Sequence, residues 1–300
     1  YNPLREYTKN TDQEPLTVFK PHDAVRGVES AIIQYFLDEE ADSVKAEIFD
    51  SKGNLVTTMV GDSAGREKVE VHPWYRSRNM VPPTTAKGLN RWEWNLRYEG
   101  ATMFEGIIIW SARPKSGPKA PPGNYEVRIT ANGKSQSVNF NITMDPRLKG
   151  VTKKDLNEQF RLASKIRDKT SLANEAVIQI RDIRAQLNDR LKKTKDENIK
   201  TMSDQLMKNL TIIEEALYQT KNESGQDPLN FPIRLNNRLA SLRRSIENGD
   251  ARPTDGSYQV FKELSAELEE HLNNLEKELE NNLSPLNEKL ESVSIDPLSI

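Results

Sequence analysis

The sequence predicts an α+β chain of two domains. An antiparallel immunoglobulin-like β-sandwich with an N-terminal extension is expected in residues 1–148, and an antiparallel bundle of three to four long helices in residues 149–300. Apolar and polar residues alternate between Leu16 and Met144, which is typical of strands with one buried face. From Thr152 onward, apolar residues instead recur every three or four positions, as on one face of a helix. The length of 300 residues also favours about two domains.

The clearest strand pattern runs from Arg91 to Tyr98, where two tryptophans, a leucine and a tyrosine share one face. The alternating segments Tyr125–Ile129 and Val138–Met144 flank Ala131-Asn132-Gly133-Lys134, whose residues favour a hairpin turn. Further strands are expected at Leu16–Val18, Ile33–Leu37, Val44–Ile48 and Leu55-Val56. About seven short strands separated by turns indicate a sandwich of immunoglobulin-like type.

The helical half contains four apolar stripes. Thr152 and Asp155 predict the start of a first helix, whose stripe continues from Leu156 to Leu191. The other stripes cover Ile199–Leu217, Ile233–Ile246 and Phe261–Leu290. Ser284-Pro285 interrupts the last one, so that proline either kinks this helix or begins a new one with Ser284 as its cap.

Each stripe must be buried, because burying one large aliphatic side chain contributes roughly 1.5 to 3 kcal/mol. Short connections and near-heptad spacing predict a left-handed antiparallel bundle. The alternative is that the last stripe pairs with a second copy of the chain as a coiled coil.

Composition argues against several classes of function. Lys plus Arg number 43 and Asp plus Glu 45, so no strong net charge favours binding to nucleic acid. Cysteine is absent, which removes thiolate nucleophiles and every cysteine-containing metal site. Apolar runs are far shorter than the ~18 residues that span a bilayer. The chain opens at Tyr1 without a signal-like segment, which indicates a piece of a longer protein.

Three features were weighed as catalytic or metal sites. Residues 61–65 match G-x-S-x-G around Ser63, but the alternating residues 66–71 favour a hairpin loop over a nucleophile elbow. His22, His72 and His271 lack any metal-ligand spacing. The acidic residues of 38–42 lack the spaced loop of a calcium site. The sequence therefore predicts no catalytic residue, cofactor or metal.

One segment stands out as an interaction surface. Trp74, Tyr75, Arg76 and Arg78 lie together between prolines, and exposed aromatic and arginine side chains are typical of binding hot spots. The alternative is that the aromatic side chains anchor a long loop to the sandwich.

Five short motifs carry a resemblance to a known family. They are residues 94–98 (WNLRY), 117–125 (GPKAPPGNY), 145–147 (DPR), 176–181 (AVIQIR) and 226–230 (QDPLN). These resemble the C-terminal region of bacterial sortilin-like (VPS10-type) β-propeller proteins, often named BNR-repeat glycosyl hydrolases, and the resemblance covers nearly the whole chain. The β-half also resembles the immunoglobulin-like modules of FlgD type found in exported bacterial proteins.

The resemblance implies an extracytoplasmic protein in the periplasm, at the cell surface or secreted, with a β-propeller preceding this chain. No Asp-box repeat occurs here, so no functional residue of the blades is carried over. The leading hypothesis is a non-catalytic scaffolding tail that mediates assembly with another envelope protein. The alternatives are a carbohydrate-binding or carbohydrate-active fragment and an oligomerisation module.

Overall fold

The computed structural model describes residues 14–62 and 81–299. Two compact units divide them. The strand unit comprises the residues up to Glu99, Pro118–Phe160 and Asp250–Arg252. The helical unit comprises Gly100–Gly117, Arg161–Gly249 and the residues from Pro253 onward. Both strands and helices are therefore present, as the sequence predicts.

The strands form sheets of three, five and two members. Their bounds are β1 Leu16–Val18, β2 Ala24–Val25, β3 Ala31–Leu37, β4 Ser43–Asp50, β5 Leu55–Asp62, β6 Gly88–Trp94, β7 Arg97–Glu99, β8 Ser116–Lys119, β9 Gly123–Ala131 and β10 Lys134–Thr143. The strand orders are β1-β3-β6, β2-β10-β9-β4-β5 and β7-β8. Antiparallel pairing holds within the two larger sheets except between β2 and β10, which run parallel.

The predicted hairpin of β9 and β10 is confirmed. Ala131 pairs with Lys134, and the two residues between them, Asn132 and Gly133, have φ of 48° and 72°. Two consecutive positive φ angles define the turn whose twist matches that of the flanking strands, and Asn-Gly favours this conformation. The turn fixes the register, which places Tyr125 and Phe140 opposite each other on the buried face.

The predicted continuous strand from Arg91 to Tyr98 is wrong in one detail. β6 ends at Trp94, and Leu96 has a left-handed φ of 57° before β7 begins at Arg97. The indole nitrogen of Trp94 donates to the carbonyl of Arg97 at 2.9 Å, which closes this turn. Leu96 is nevertheless buried. The apolar pattern therefore predicts the burial of this residue correctly, although its backbone is not extended.

The core of the strand unit draws side chains from both larger sheets. Tyr35, Trp92 and Trp94 enter it from the three-stranded sheet, and the ring of Trp94 lies 5.5 Å from that of Tyr125 and 6.1 Å from that of Phe140. Other members include Ile33, Leu37, Val44, Ile48, Val127, Ile129 and Ile142.

The helices are α1 Lys153–Leu191, α2 Glu197–Leu217, α3 Leu235–Ile246, α4 Asp255–Glu278 and α5 Ser284–Ser292. A 3₁₀ turn covers Asp227–Leu229. The Thr152 hydroxyl accepts from the N–H of Asp155, and the Asp155 carboxylate accepts from the N–H of Thr152. This reciprocal cap confirms the predicted start of the first helix.

The chain stays helical through Pro285. Of the two predicted outcomes, a helix capped by Ser284 is wrong in its cap, and a kink at the proline stays a prediction. A π turn, Leu279–Leu283, joins α4 to α5, and the N–H of Ser284 bonds to the carbonyl of Leu279. Proline has no N–H to donate and crowds the preceding turn, so the backbone widens by one residue there. Ser284 has helical dihedral angles and its hydroxyl donates to Leu279, so it is not an N-cap.

One apolar core holds the helical unit together. Arg184 contacts Thr211 and Arg181 contacts Glu214, so α1 and α2 run antiparallel. The last apolar stripe is buried in this core through Leu264, Leu268, Leu275, Leu283, Leu286 and Leu290. These leucines are therefore already engaged by the chain's own helices.

Candidate binding surfaces

The interaction surface predicted from sequence, Trp74, Tyr75, Arg76 and Arg78, lies outside the described residues, as do Ser63 and His72. It stays a prediction. Gly61 belongs to strand β5 rather than to the predicted loop. A Cβ atom at Gly61 would lie 1.8 Å from the carbonyl oxygen of Pro83, so close backbone approach explains this glycine.

The other two features show no metal-like arrangement. In residues 14–62 and 81–299, no group of three or more His, Asp or Glu side chains is placed to hold a metal ion. His22 is exposed, and His271 is half-buried on α4.

The strand unit carries a surface groove of about 700 Å³ beside β4, β9 and β10. Strand alternation explains its polar walls, because Asn124, Glu126 and Arg128 alternate with the buried Tyr125 and Val127. The lining residues are Lys20, Phe49, Asp50, Ser51, Gly53, Asn124, Tyr125, Glu126, Arg128, Asn139, Phe140 and Asn141. The groove thus combines amides, two charges of each sign and aromatic edges.

The charges of the groove are largely paired. Arg128 lies 3.0 Å from the Glu126 carboxylate, which also accepts from the Ser137 hydroxyl at 2.8 Å. The same guanidinium lies over the Phe49 ring, 4.5 Å from its centroid. A cation over an aromatic face is attracted by the ring quadrupole, so Arg128 is held in place on two sides. The groove therefore has no net charge to favour an ion.

Asp50, at one end of the groove, is committed to its turn. Burial raises the pKa of this carboxyl group, but hydrogen bonds from the Asn54 side chain, the Asn54 N–H and the Lys52 N–H outweigh burial, so the pKa is lowered overall. The group is ionised near neutral pH and holds the β4–β5 turn, which gives it a structural task.

Two tyrosines near Asp50 are held neutral. Burial raises the pKa of Tyr98 to about 12, with a further contribution from the charge of Asp50. Burial also raises the pKa of Tyr125, whose hydroxyl donates to the carbonyl of Pro121 at 2.8 Å. At neutral pH both hydroxyls stay protonated, so neither serves as a base in this form.

A buried cation fastens the strand unit. Arg26, which is 1% exposed, lies 2.5 Å from Asp250 and donates to the carbonyl of Ala120 and to the Gln159 side chain. Lys119 also contacts Asp250, at 3.1 Å. One guanidinium thereby ties together four chain segments that are far apart in sequence, since its fork of donors engages several acceptors at once.

Within the helical unit, side chains of the helices bind the backbone of the irregular segment Gly100–Gly117. Asn237 accepts from the N–H of Trp110 at 2.7 Å and donates to the carbonyl of Trp110 at 3.0 Å. Two side chains bind the backbone of Thr102. Ser171 accepts from its N–H at 3.0 Å, and Asn174 donates to its carbonyl at 2.7 Å. These pairs replace the ladder that a neighbouring strand would supply.

A second buried cation secures the far end of this segment. Arg243 is 4% exposed and donates to the carbonyls of Arg113, Ser116 and Gly117 at 2.7, 2.6 and 3.2 Å. Glu247, one helical turn later, balances its charge at 2.6 Å. The three carbonyl contacts of Arg243 hold the backbone of this segment in place.

A third buried ionic group lies between α1 and α2. Glu214 is 3% exposed and accepts from Arg181 and Arg184, each at 2.7 Å. The Arg181 guanidinium also lies over the rings of Phe104 and Tyr218. Two cations around one buried carboxylate compensate for its removal from water.

No pattern in the sequence predicts these fastening residues. Apart from Glu247, the partners of Arg26, Glu214 and Arg243 lie 30 or more positions away in sequence. One signal was present: Arg243 and Glu247 are four residues apart on a predicted helix, which is ion-pair spacing. That spacing is more often found on solvent-exposed faces, so it does not by itself predict burial.

No protein-family model matches this chain, and no curated protein matches it. The resemblance to sortilin-like propeller proteins therefore stays a prediction. Within the part of the chain that the structure describes, none of the helices has the length and apolarity needed to cross a membrane.

Proposed function

We propose that this chain is a non-catalytic scaffolding tail that holds and presents binding surfaces for assembly with another envelope protein. The supporting observation is that buried ionic side chains hold separate segments of the chain together. Arg26, Glu214 and Arg243 each hold distant segments together through two or more contacts. Such contacts fix the shape of a surface, because removing one partner would leave a buried charge unpaired.

The proposal includes the architecture and the setting predicted from sequence. The two larger sheets of the strand unit, which share one core, correspond in this proposal to an immunoglobulin-like sandwich. The helices correspond to a left-handed bundle. The parent protein carries a β-propeller before this chain and acts outside the cytoplasm, in the periplasm, at the cell surface or after secretion.

Cross-linking of the parent protein in its native cells tests this function. A photo-reactive residue replacing Ile212, whose side chain is 62% exposed on α2, is expected to give one discrete adduct with an envelope protein. Leu268→Asp, which disrupts the helical core, should abolish the adduct. Glu270→Gln, an exposed change on the same helix, should leave it unchanged. An adduct that survives Leu268→Asp would contradict assembly through the helical unit.

A second candidate function, carbohydrate binding, is favoured by the groove of the strand unit. Asn124 and Asn139 present exposed amides beside the Phe49 ring, in a groove whose charges balance. Amides can both donate to and accept from the hydroxyl groups of a neutral sugar. Binding to a glycan panel that Asn139→Ala weakens and Asn248→Ala does not would support it. Absence of binding to the whole panel would exclude it.

A further inference from the structure

Residues Ile295–Ser299, here called the C-terminal strip, are held by amide side chains. Asn287 accepts from the N–H of Leu298 at 2.8 Å and donates to its carbonyl at 3.0 Å. Gln186 accepts from the N–H of Ser299 at 2.9 Å and donates to its carbonyl at 3.0 Å. Each amide thus satisfies both backbone groups of one residue, as an adjacent strand does.

The strip has the geometry of a bound extended peptide. Successive residues of an extended chain point their backbone groups to opposite sides. Leu298 accordingly contacts Asn287 of α5, and Ser299 contacts Gln186 of α1. The Leu298 side chain is 4% exposed and inserts into the helical core, whereas Asp296, Pro297 and Ser299 remain exposed. Leu298 is therefore the main anchor, and Ile295 also packs against the helical core. The Ser299 hydroxyl donates to the Gln186 side chain at 3.1 Å, in addition to the backbone contacts of Leu298 and Ser299.

The strip runs antiparallel to α1. The carbonyl of Asp296 accepts from Arg190 at 2.9 Å, and Ser299 contacts Gln186, so rising numbers in the strip meet falling numbers on α1. The chain enters this path through Ser294, whose left-handed φ of 60° turns it back from the end of α5. A non-glycine residue in this conformation carries a modest strain.

A cavity of about 230 Å³ lies ahead of Ser299 along the same helix. It is lined by Glu175, Ile178, Gln179, Asp182, Ile183 and Ser299. Two carboxylates and no basic residue belong to this lining. Asp182 lies one turn beyond Gln186 and Glu175 two further turns on, so an extended chain continuing in this direction would pass both.

We propose that the cleft between α1 and α5 binds an extended segment of a partner protein. The partner segment has a leucine anchor and a basic residue at or after the second position beyond it, and the C-terminal strip is its internal substitute. This inference rests on the proposed assembly function and specifies the chemistry of its partner. Leucine would take the place of Leu298, the amides of Asn287 and Gln186 would hold the backbone, and the basic residue would face Asp182 and Glu175.

Competition with the strip sets the affinity. A short tether gives the strip an effective concentration on the order of millimolar. A partner segment must therefore gain contacts beyond those of residues 295–299, and the acidic cavity offers them. The intact chain is expected to bind such a segment at least tenfold more weakly than a chain whose strip has been removed.

A labelled synthetic peptide tests the proposal. The peptide has the sequence of residues 294–299 followed by two lysines, and its binding is measured by fluorescence anisotropy. The proteins are the intact chain, a variant ending at Val293, and the full-length variant Leu298→Asp, which loses the anchor without shortening the chain. Both variants are expected to bind the peptide, and the intact chain much more weakly.

Three changes separate the proposed contacts. Gln186→Ala in the shortened variant should weaken binding at least tenfold, since three hydrogen bonds to the serine that takes the place of Ser299 are lost. A peptide methylated on the backbone nitrogens of its leucine and following serine should bind as weakly, although its side chains are unchanged. Asp182→Asn should weaken the lysine-containing peptide about threefold and leave a peptide without the lysines unaffected.

Several outcomes would overturn the inference. Folded variants that do not bind the peptide would show that the strip is only a structural tail. Unfolding of both variants, not reversed by added peptide, would show the same. Unchanged affinity after backbone methylation would refute recognition by the amides. These results come from purified protein, so they are independent of whether cross-linking finds an envelope partner.

Discussion

At the scale of single residues, polar side chains hold backbone at several places in this protein. Arg243 binds three carbonyls, and Asn237 and Gln186 each bind both backbone groups of one residue. Where a residue has no partner in a neighbouring strand, its N–H and C=O groups must be satisfied in another way, and side chains do so at Trp110 and Ser299. Substituting such a residue should therefore lower the free energy of unfolding by more than its own few hydrogen bonds contribute, because the backbone groups that it binds lose their partner.

Arg243→Met is expected to lower the free energy of unfolding by about 3–5 kcal/mol. The change removes the ion pair of the buried Glu247 carboxylate with Arg243 and the donor to the carbonyls of Arg113 and Ser116. Urea denaturation followed by circular dichroism measures the loss. Arg238→Met, which removes an exposed ion pair between Arg238 of the same helix and Glu267, provides the control and should cost less than about 1 kcal/mol. Equal losses for the two variants would contradict a fastening role specific to Arg243.

Tyr35 should make the strand unit sensitive to alkali. Burial raises its pKa to about 12, and its hydroxyl donates to the carbonyl of Thr84. Because the folded pKa is higher than that of the unfolded chain, about 10, its contribution to stability is complete below pH 10 and is lost as pH rises towards 12. Tyr35→Phe is expected to flatten the fall of stability over this range. An unchanged profile, from denaturation at several pH values, would assign the alkaline loss to other groups.

At the scale of elements, the sequence predicts well what depends on neighbours along the chain. The β9–β10 hairpin followed from alternation and from Asn132-Gly133, and the start of α1 from Thr152 and Asp155. Local caps of this kind determine where a helix begins, and their loss is measurable at each helix separately.

Thr254→Ala is expected to lower stability by about 1 kcal/mol, because the Thr254 hydroxyl accepts from the N–H of Ser257 at the first turn of α4. Thr254→Ser keeps this acceptor and should retain the stability of the original protein within a few tenths of a kcal/mol. Urea midpoints of the three proteins provide the comparison. A loss of equal size in the serine variant would show that the methyl group, and not the cap, is important.

Elements that depend on partners far away in the sequence are not predicted by local sequence patterns. β2 has only two residues, too few for a period, and its parallel partner β10 lies more than 110 residues away. Phe104 and Ile107 of Gly100–Gly117 pack against the helical core, and Asn237 and Arg243 bind the backbone of the segment. The backbone contacts are independent of the segment's own side chains, so its sequence does not predict them. The groove was missed for a similar reason, since alternation shows which face Asn139 takes but not that the surface there is concave.

At the scale of the whole molecule, each of the two units has its own apolar core. Trp94 lies in the core of the strand unit and Leu268 in that of the helical unit, and both are 0% exposed. The chain passes between the units several times, at residues 99–100, 117–118, 160–161, 249–250 and 252–253. The two cores share no side chains. A substitution that disrupts packing in one core is therefore expected to destabilise mainly the unit that contains it.

Trp94→Ala and Leu268→Asp test this division. Trp94→Ala should cost about 3–5 kcal/mol by leaving a cavity beside Tyr125 and Phe140, and Leu268→Asp should cost at least as much by burying a carboxylate. Hydrogen exchange measured by mass spectrometry reports the location of the damage. Trp94→Ala should reduce protection in β3, β6 and β9 while α2 and α4 keep theirs, and Leu268→Asp should do the reverse. If either variant lowers protection in both units to the same extent, the two cores unfold as one cooperative structure, and the scaffold must be treated as a single body.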